Sequence, residues 1–232
     1  MNNSIILKVY SDRTIKRISR KIKLLGLDCK YKVMDVLNFR LLTSMLLLIF
    51  FMIFIKNGYI LGPIAVALFL YLSEYYMFDL PIKKRTIKLE NEAIFFFEVL
   101  SLTLQSGKNL TQGLRLATNS LTSELSKEFK KSLDEVNLGK SFPEALNDMK
   151  LRIPSDTINN AILNIVESSI FGNNIEESLD NQLEFLRDKK TLRIKGEIGK
   201  LPTKISILSV VFFIPIILMV ILAPVLINYI TK

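Results

Sequence analysis

The sequence predicts an all-α integral membrane protein, with about three transmembrane helices and a cytoplasmic six-helix antiparallel bundle between the second and the third. Three observations predict it. Long uncharged apolar runs stand near residues 41–80 and again at 205–230, each of the length and composition that bilayers select. Charged, amphipathic sequence fills the stretch between them, although half of the 232 residues are hydrophobic. A motif of one glycine followed by a helix cap recurs three times in that stretch, which is the signature of a repeated helix pair.

Composition removes several classes of function. The chain has no histidine and its one cysteine is Cys29, so an internal disulfide, a His/Cys zinc site, a Ser-His-Asp triad and a Cys-His dyad are all excluded. No phosphate-binding loop of the form G-x-x-x-x-G-K-[ST] is present, which argues against nucleotide hydrolysis by this chain. The net charge of +9 invites a nucleic-acid reading, but the basic residues crowd beside the apolar runs, where they mark the cytoplasmic side of a membrane. The expectation is therefore no enzyme, no cofactor, no metal and no nucleic acid. Met1–Tyr10 has too short an apolar run for a cleaved signal peptide.

Residues 1–40 form a basic amphipathic, cytoplasmic segment. Ile15, Ile18, Ile22 and Leu25 recur at helical spacing among Arg13, Lys16, Arg17, Arg20, Lys21 and Lys23. Such a helix suits an anionic membrane face, with docking to a partner as the alternative. Residues 41–80 form a transmembrane hairpin. Its first span runs from Leu41 to Ile55, and fifteen residues rise only about 22 Å against a hydrocarbon core of about 30 Å. Snorkelling of Arg40 and Lys56 and a tolerable mismatch make up the remainder. After a turn at Lys56-Asn57-Gly58, Tyr59 to about Ser73 returns, with Gly62 and Pro63 in its first turn. Glu74 with Tyr75 and Tyr76 reads as a headgroup-level belt.

Residues 205–232 form the third span, 26 residues without a charge from Ile205 to Ile230, bent at Pro215 and Pro224. Ten Lys/Arg against three acids in residues 1–40, with Lys83, Lys84, Arg85 and Lys88 after the hairpin, place the N-terminus and the central domain in the cytoplasm. The C-terminus then lies outside.

Residues 81–204 carry the repeat. Gly107-Lys-Asn-Leu-Thr-Gln-Gly-Leu114 is echoed by Gly139-Lys-Ser-Phe-Pro-Glu-Ala-Leu146 and by Gly172-Asn-Asn-Ile-Glu-Glu-Ser-Leu179, at spacings of 32 and 33 residues. Each glycine ends a helix in the left-handed conformation. Each is followed by an N-cap, Asn109, Ser141 or Asn174, and then by a capping-box partner, Gln112, Glu144 or Glu177. Pro143 fits a first turn. Three such corners make six helices. Their apolar stripes are Phe95, Phe96, Val99, Leu100, Leu102, Leu104; Leu121, Leu125, Phe129, Leu133, Val136; Ile158, Ile162, Ile165, Val166, Ile170; and Leu179, Leu183, Leu186. The Phe95-Phe96-Phe97 run reads as core rather than a binding patch. Glu90, Glu92, Glu98, Glu167, Glu176, Glu177 and Asp180 read as solvated or capping groups rather than a metal or catalytic set. The last helix continues towards the third span, weakened at Gly196, Gly199 and Pro202.

Several motifs together resemble a known family. They are Leu24-Leu25-Gly26-Leu27; Leu104-Gln-Ser-Gly107-Lys-Asn-Leu110 with Leu114; Phe171-Gly172 with Ile175 and Leu179; Leu192-Arg193-Ile-Lys-Gly-Glu197; and Lys200-Leu-Pro202-Thr-Lys204 followed by Pro215 and Ala223-Pro224. In this order they resemble the membrane platform proteins of type II secretion and type IV filament systems, the F-domain family, over roughly residues 20–230. The fit is best to the C-type platform protein of tight-adherence (Tad) pili. The resemblance implies a non-catalytic platform in the cytoplasmic membrane that contacts a hexameric secretion ATPase and pilin subunits. With one F domain, it further implies a second F-domain platform protein, or a second copy, as partner, besides membrane lipids. Candidates for coupling are the corners Gly107, Gly139 and Gly172 with their caps, whose glycines read first as purely structural, the basic junction at Lys200 and Lys204, and Pro215. A small transporter and a membrane-anchored helical adaptor are the alternative readings.

Overall fold

The computed structural model describes residues 12–27, 29, 32–54, 58–171 and 175–230. Every regular element among them is helical, as the sequence predicts. The chain divides into two compact units, Met1–Leu186 and Arg187–Lys232.

The first unit opens with α1 (Asp12–Leu24), followed by the hairpin α2 (Val33–Phe54) and α3 (Gly58–Glu74). A π-helical segment, Tyr75–Asp79, then leads without interruption into α4 (Leu80–Gln105). The second span and the first helix of the domain are thus one helical run, Tyr59–Gln105, of 47 residues. Pro81 has no N–H to donate to the preceding turn, which normally ends a helix. Here the wider π turn absorbs the defect, and Leu80 N–H reaches back to the Tyr75 carbonyl.

The hairpin corrects several expectations. Helix α2 begins eight residues before Leu41 and has 22 residues, so it rises about 33 Å, with its first turns packed against α1. Arg40 consequently lies inside the helix. It does not snorkel outwards: it is 7% exposed, and its Nη2 donates to the Leu70 carbonyl of α3 at 3.1 Å. Gly62 faces Phe51 across the hairpin, where a Cβ would make an ordinary 3.5 Å contact with the Phe51 Cβ. Pro63 falls in the second turn of α3 rather than the first, since that helix starts at Gly58. Lys56 and Asn57 lie outside the described residues. The outer faces of both helices expose Leu42, Met45, Leu46, Ile49, Ile53, Ile64, Leu68 and Leu72, an apolar surface that only lipid or protein covers. Among the described residues three helical runs are long and apolar enough to cross a membrane, Val33–Phe54, Tyr59–Gln105 and Ile175–Ala223.

Helix α1 also departs from expectation. Its apolar face is spent inside the protein, where Ile18 joins Val36, Leu37 and Phe78 in a small core flanked by Ile15, Ile22 and Leu25. The burial that insertion into a membrane surface would supply is supplied by the hairpin base instead.

The domain continues with α5 (Leu110–Ser120), α6 (Glu124–Asn137), α7 (Phe142–Lys150), α8 (Asp156–Phe171) and α9 (Ile175–Gly199). With α4 these are the six helices expected. The core gathers Leu89, Ala93, Phe96, Phe97, Leu100 and Leu104 of α4 with Leu114, Leu125, Phe129, Ile158, Ile162, Ile165 and Leu179. Phe96 stacks on Phe129 with ring centroids 4.4 Å apart. Phe95 and Leu102 are 57% and 67% exposed, because helical spacing from Phe96 and Leu100 turns them to the far side. Ile170, at the end of α8, is exposed as well.

The corners follow the expected chemistry. Gly107 and Gly139 have φ of +82° and +101°. At the second corner Gly139 N–H donates to the Val136 carbonyl and Lys140 N–H to the Glu135 carbonyl, a Schellman closure. The Asn109 side chain accepts from the Gln112 N–H at 2.9 Å, and Ser141 from the Glu144 N–H at 3.3 Å. Two further caps escaped the sequence reading. Ser123 caps α6 and Ser155 caps α8, and they too stand 32 residues apart. The true repeat is therefore a helix pair, α5–α6 and α7–α8, with two caps in each.

In the second unit α9 ends at Gly199, Lys200 is a single turn residue, and α10 (Leu201–Ile230) follows. The helix starts before Ile205, with Pro202 in its first turn, where proline is well placed. Gly196, Pro215 and Pro224 interrupt no helix.

The caps should matter one-sidedly. Among the described residues neither the Gln112 nor the Glu144 side chain returns a bond to its cap. Asn109→Ala and Ser141→Ala are each expected to cost about 1 kcal/mol, and Gln112→Ala and Glu144→Ala clearly less, in denaturant unfolding of the detergent-solubilised protein. Equal losses at both positions would contradict this.

Candidate functional site: the ionic junction below the hairpin

Where the membrane run becomes the domain, one buried guanidinium collects four elements. Arg85, in the second turn of α4, is 7% exposed. Its Nη1 donates to the carbonyl of Leu24, the last residue of α1, at 2.8 Å, and to the carbonyl of Arg152, just past α7, at 2.6 Å. Both are carbonyls left over at helix ends, where a cation is favoured. Its Nε bonds Glu124 Oε1, and its Nη2 bonds Glu128 Oε1 at 3.0 Å. Glu128 is wholly buried, and its second oxygen takes Arg152 Nε at 2.8 Å. Lys88 completes the set on Glu124 at 3.0 Å. Burial works against the Glu124 carboxylate, but the hydrogen bonds from Arg85 and Lys88 outweigh it and hold its pKa below the ordinary glutamate value.

Gly26 makes room for this arrangement. It has φ +98°, and a Cβ there would lie 2.8 Å from the Arg85 guanidinium. The Leu24-Leu25-Gly26-Leu27 segment is thus a helix end shaped around the arginine.

A second ionic group sits one to two turns nearer the hairpin. Lys21 of α1 bridges Glu74, just before the π segment, and Asp79, its last residue, at 2.7 Å each. Arg40 Nη2 stands 4.0 Å from the other Glu74 oxygen. Burial opposes the charge of Lys21, yet its bonds to Asp79 and Glu74 prevail and raise its pKa. Glu74 is therefore one arm of a clamp between α1 and the hairpin, next to the edge-on pair Tyr75 and Tyr76.

The expected coupling residues are not gathered here. Gly107, Asn109 and Gln112 form one corner, and Gly139, Ser141 and Glu144 another. None of the six bonds to Arg85 or its partners among the described residues. Gly172 and Asn174 lie outside those residues, and Glu177 is exposed in the first turn of α9. Lys200, Lys204 and Pro215 belong to the second unit. Several acids once open to a chemical reading have structural duties. Glu90 takes the Ser155 hydroxyl, Glu92 takes the Leu125 N–H at the start of α6, and Asp180 takes the Ser101 hydroxyl.

Sequence reading missed the junction because it counted Arg85 only as a flanking charge. One signal was present: Glu128 falls on the apolar stripe of Leu125 and Phe129, where an acid needs a buried cation.

Fold and junction define a membrane-anchored helical domain built for structural connection, with its framework fused to a spanning helix. Residues 96–224, more than half of the chain, match the family of the type II secretion system (T2SS) protein F. The chain belongs to that family, whose members are structural platform proteins in the inner membrane. No curated protein and no solved structure matches the chain.

The junction makes two tests. Arg85→Met removes one of the two cations on the buried Glu128 carboxylate, which keeps Arg152, and should cost about 1–3 kcal/mol. Gly26→Ala should destabilise more than Gly107→Ala or Gly139→Ala: all three meet the left-handed penalty of about 1–2 kcal/mol, but only Gly26 also displaces Arg85, the other two facing open space. Equal melting shifts for the three alanines would refute that ranking. The second test is pH. A carboxylate with a depressed folded pKa stabilises fully above its unfolded value, and that contribution is lost as pH falls through the folded value. Stability should therefore drop below about pH 4.3. The Glu124→Gln variant should start lower at neutral pH and show a shallower acid limb in thermal melts.

Proposed function

We propose that the chain is the cytoplasmic-membrane platform protein of a type II secretion or type IV, Tad-like, pilus assembly machine, coupling a hexameric secretion ATPase to the extraction of pilin subunits. Family membership supports the class, and one structural observation supports the coupling: the uninterrupted run from Tyr59 in the hairpin to Gln105 in the domain core. A push on the domain then reaches the bilayer along a single backbone rather than through a loop. The junction at Arg85 and the Lys21 clamp fix α1 to that run, so hairpin base and domain answer together. In this reading the N-terminus and domain are cytoplasmic, following the flanking Lys and Arg. A second F-domain protein or a second copy completes the platform.

The test is a pull-down of the solubilised protein tagged at its N-terminus, read by mass spectrometry. Recovery of a secretion ATPase, pilins or a second platform protein is expected. Repeated recovery of an unrelated transporter or receptor complex instead would sink the proposal. A double change, Tyr76→Gly with Met77→Gly, weakens the run by about 1 kcal/mol per glycine. It should reduce filament assembly while the ATPase is still captured.

A further inference from the structure

The apolar face of α1 is covered by the hairpin base, but among the described residues nothing covers the opposite face. Arg13, Lys16, Arg17, Arg20 and Lys23 are all exposed there, and helical spacing puts them on one side. None of the five makes a close ion pair among the described residues, although Lys23 acts on Asp148 at longer range and helps to lower its pKa. Arg13 and Arg17, Lys16 and Arg20, and Arg20 and Lys23 are like-charged neighbours three or four apart, which weakens a helix on its own. Among the described residues this face of the helix therefore holds a concentrated charge that little besides Asp148 offsets. Its position is fixed as well. Lys21, between the two faces, is held by Glu74 and Asp79 at 2.7 Å, where the second span ends, and Ile18 packs on the first turns of α2. The basic face thus lies at the level where the hairpin leaves the bilayer. Lys16, Ser19, Arg20 and Lys23 line a shallow groove of about 370 Å³, with Ile15 and Leu151 as its apolar wall. Lys83 and Lys84, also exposed, follow the π segment on α4.

We infer that this basic face of α1 is a binding surface for the phosphate headgroups of anionic membrane lipids. The attraction is electrostatic and requires no insertion, since the residues that would insert are already buried. It seats the hairpin base against the charged leaflet and supplies counter-charge to the exposed cations of the helix. The inference rests on membrane embedding alone and not on the coupling role, so an acidic protein partner is a rival that the test separates.

The full chain is placed in nanodiscs of phosphatidylcholine mixed with phosphatidylglycerol, and the lipids it retains on release are counted by native mass spectrometry. Enrichment of phosphatidylglycerol is expected, decreasing with salt, at roughly fivefold in affinity per charge engaged. The R13Q/K16Q/R17Q/R20Q/K23Q variant should lose it, whereas K108Q/K130Q/K131Q, exposed charges elsewhere on the domain, should keep it. Amide exchange across Ile15–Ile22 shows whether α1 stays folded in the variant. If it does not, R13Q/R17Q and R20Q/K23Q carry the test at smaller amplitude. Equal retention of the two lipids by the unaltered protein, or enrichment that survives neutralisation of a folded α1, overturns the inference. Either result leaves capture of the ATPase, and with it the proposed function, standing.

Discussion

The arrangement of the first unit depends on keeping one arginine out of water. A guanidinium has five N–H donors in a rigid fork, and Arg85 uses them on two carboxylates and two helix-end carbonyls. Because burying a charge without partners is prohibitive, the side chain tolerates few arrangements of its neighbours. The end of α1, the start of α6 and the turn after α7 must all be present together. Such a network adds little net stability over a well-packed apolar substitute. Its effect is to single out one geometry.

The hairpin meets the domain under a similar constraint. Helices leaving a bilayer usually pass through a loop before a soluble domain begins, and a proline at position 81 suggests one. The π turn at Tyr75–Asp79 keeps the backbone bonded through that point, and Glu74 before it and Asp79 at its end are tied by Lys21. The stiffness of the connection is thus reinforced from outside the helix as well as along it.

Much of this was legible in the sequence, for local reasons. A glycine in the left-handed conformation and a side-chain cap act within four residues, so the corners at Gly107 and Gly139 could be read directly. Apolar periodicity located the spans and the core stripes of α6 and α8. Long-range decisions were not legible. Whether α1 covers lipid or protein depends on Val36, Leu37 and Phe78 being beside it, and hydropathy is the same in either case. Arg40 and Arg85 look like ordinary flanking charges until their partners, 30 to 67 residues away, are known. The continuity through Pro81 was hidden because the defect is absorbed by a π turn that no residue announces.

The spacing of these bonds also sets an order of events during synthesis. The repeat α5–α6 and α7–α8 packs largely against its neighbours in sequence, so it gains contacts as each helix emerges, at small loop-closure cost. Arg85 is different. Its bond to Leu24 reaches back 61 residues and its bond to Arg152 reaches forward 67. The hairpin has therefore left the ribosome well before the carbonyl that completes the junction exists, while the third span is still untranslated. The same arginine that ties the finished structure together is, in the growing chain, the last part of the hairpin base to be secured.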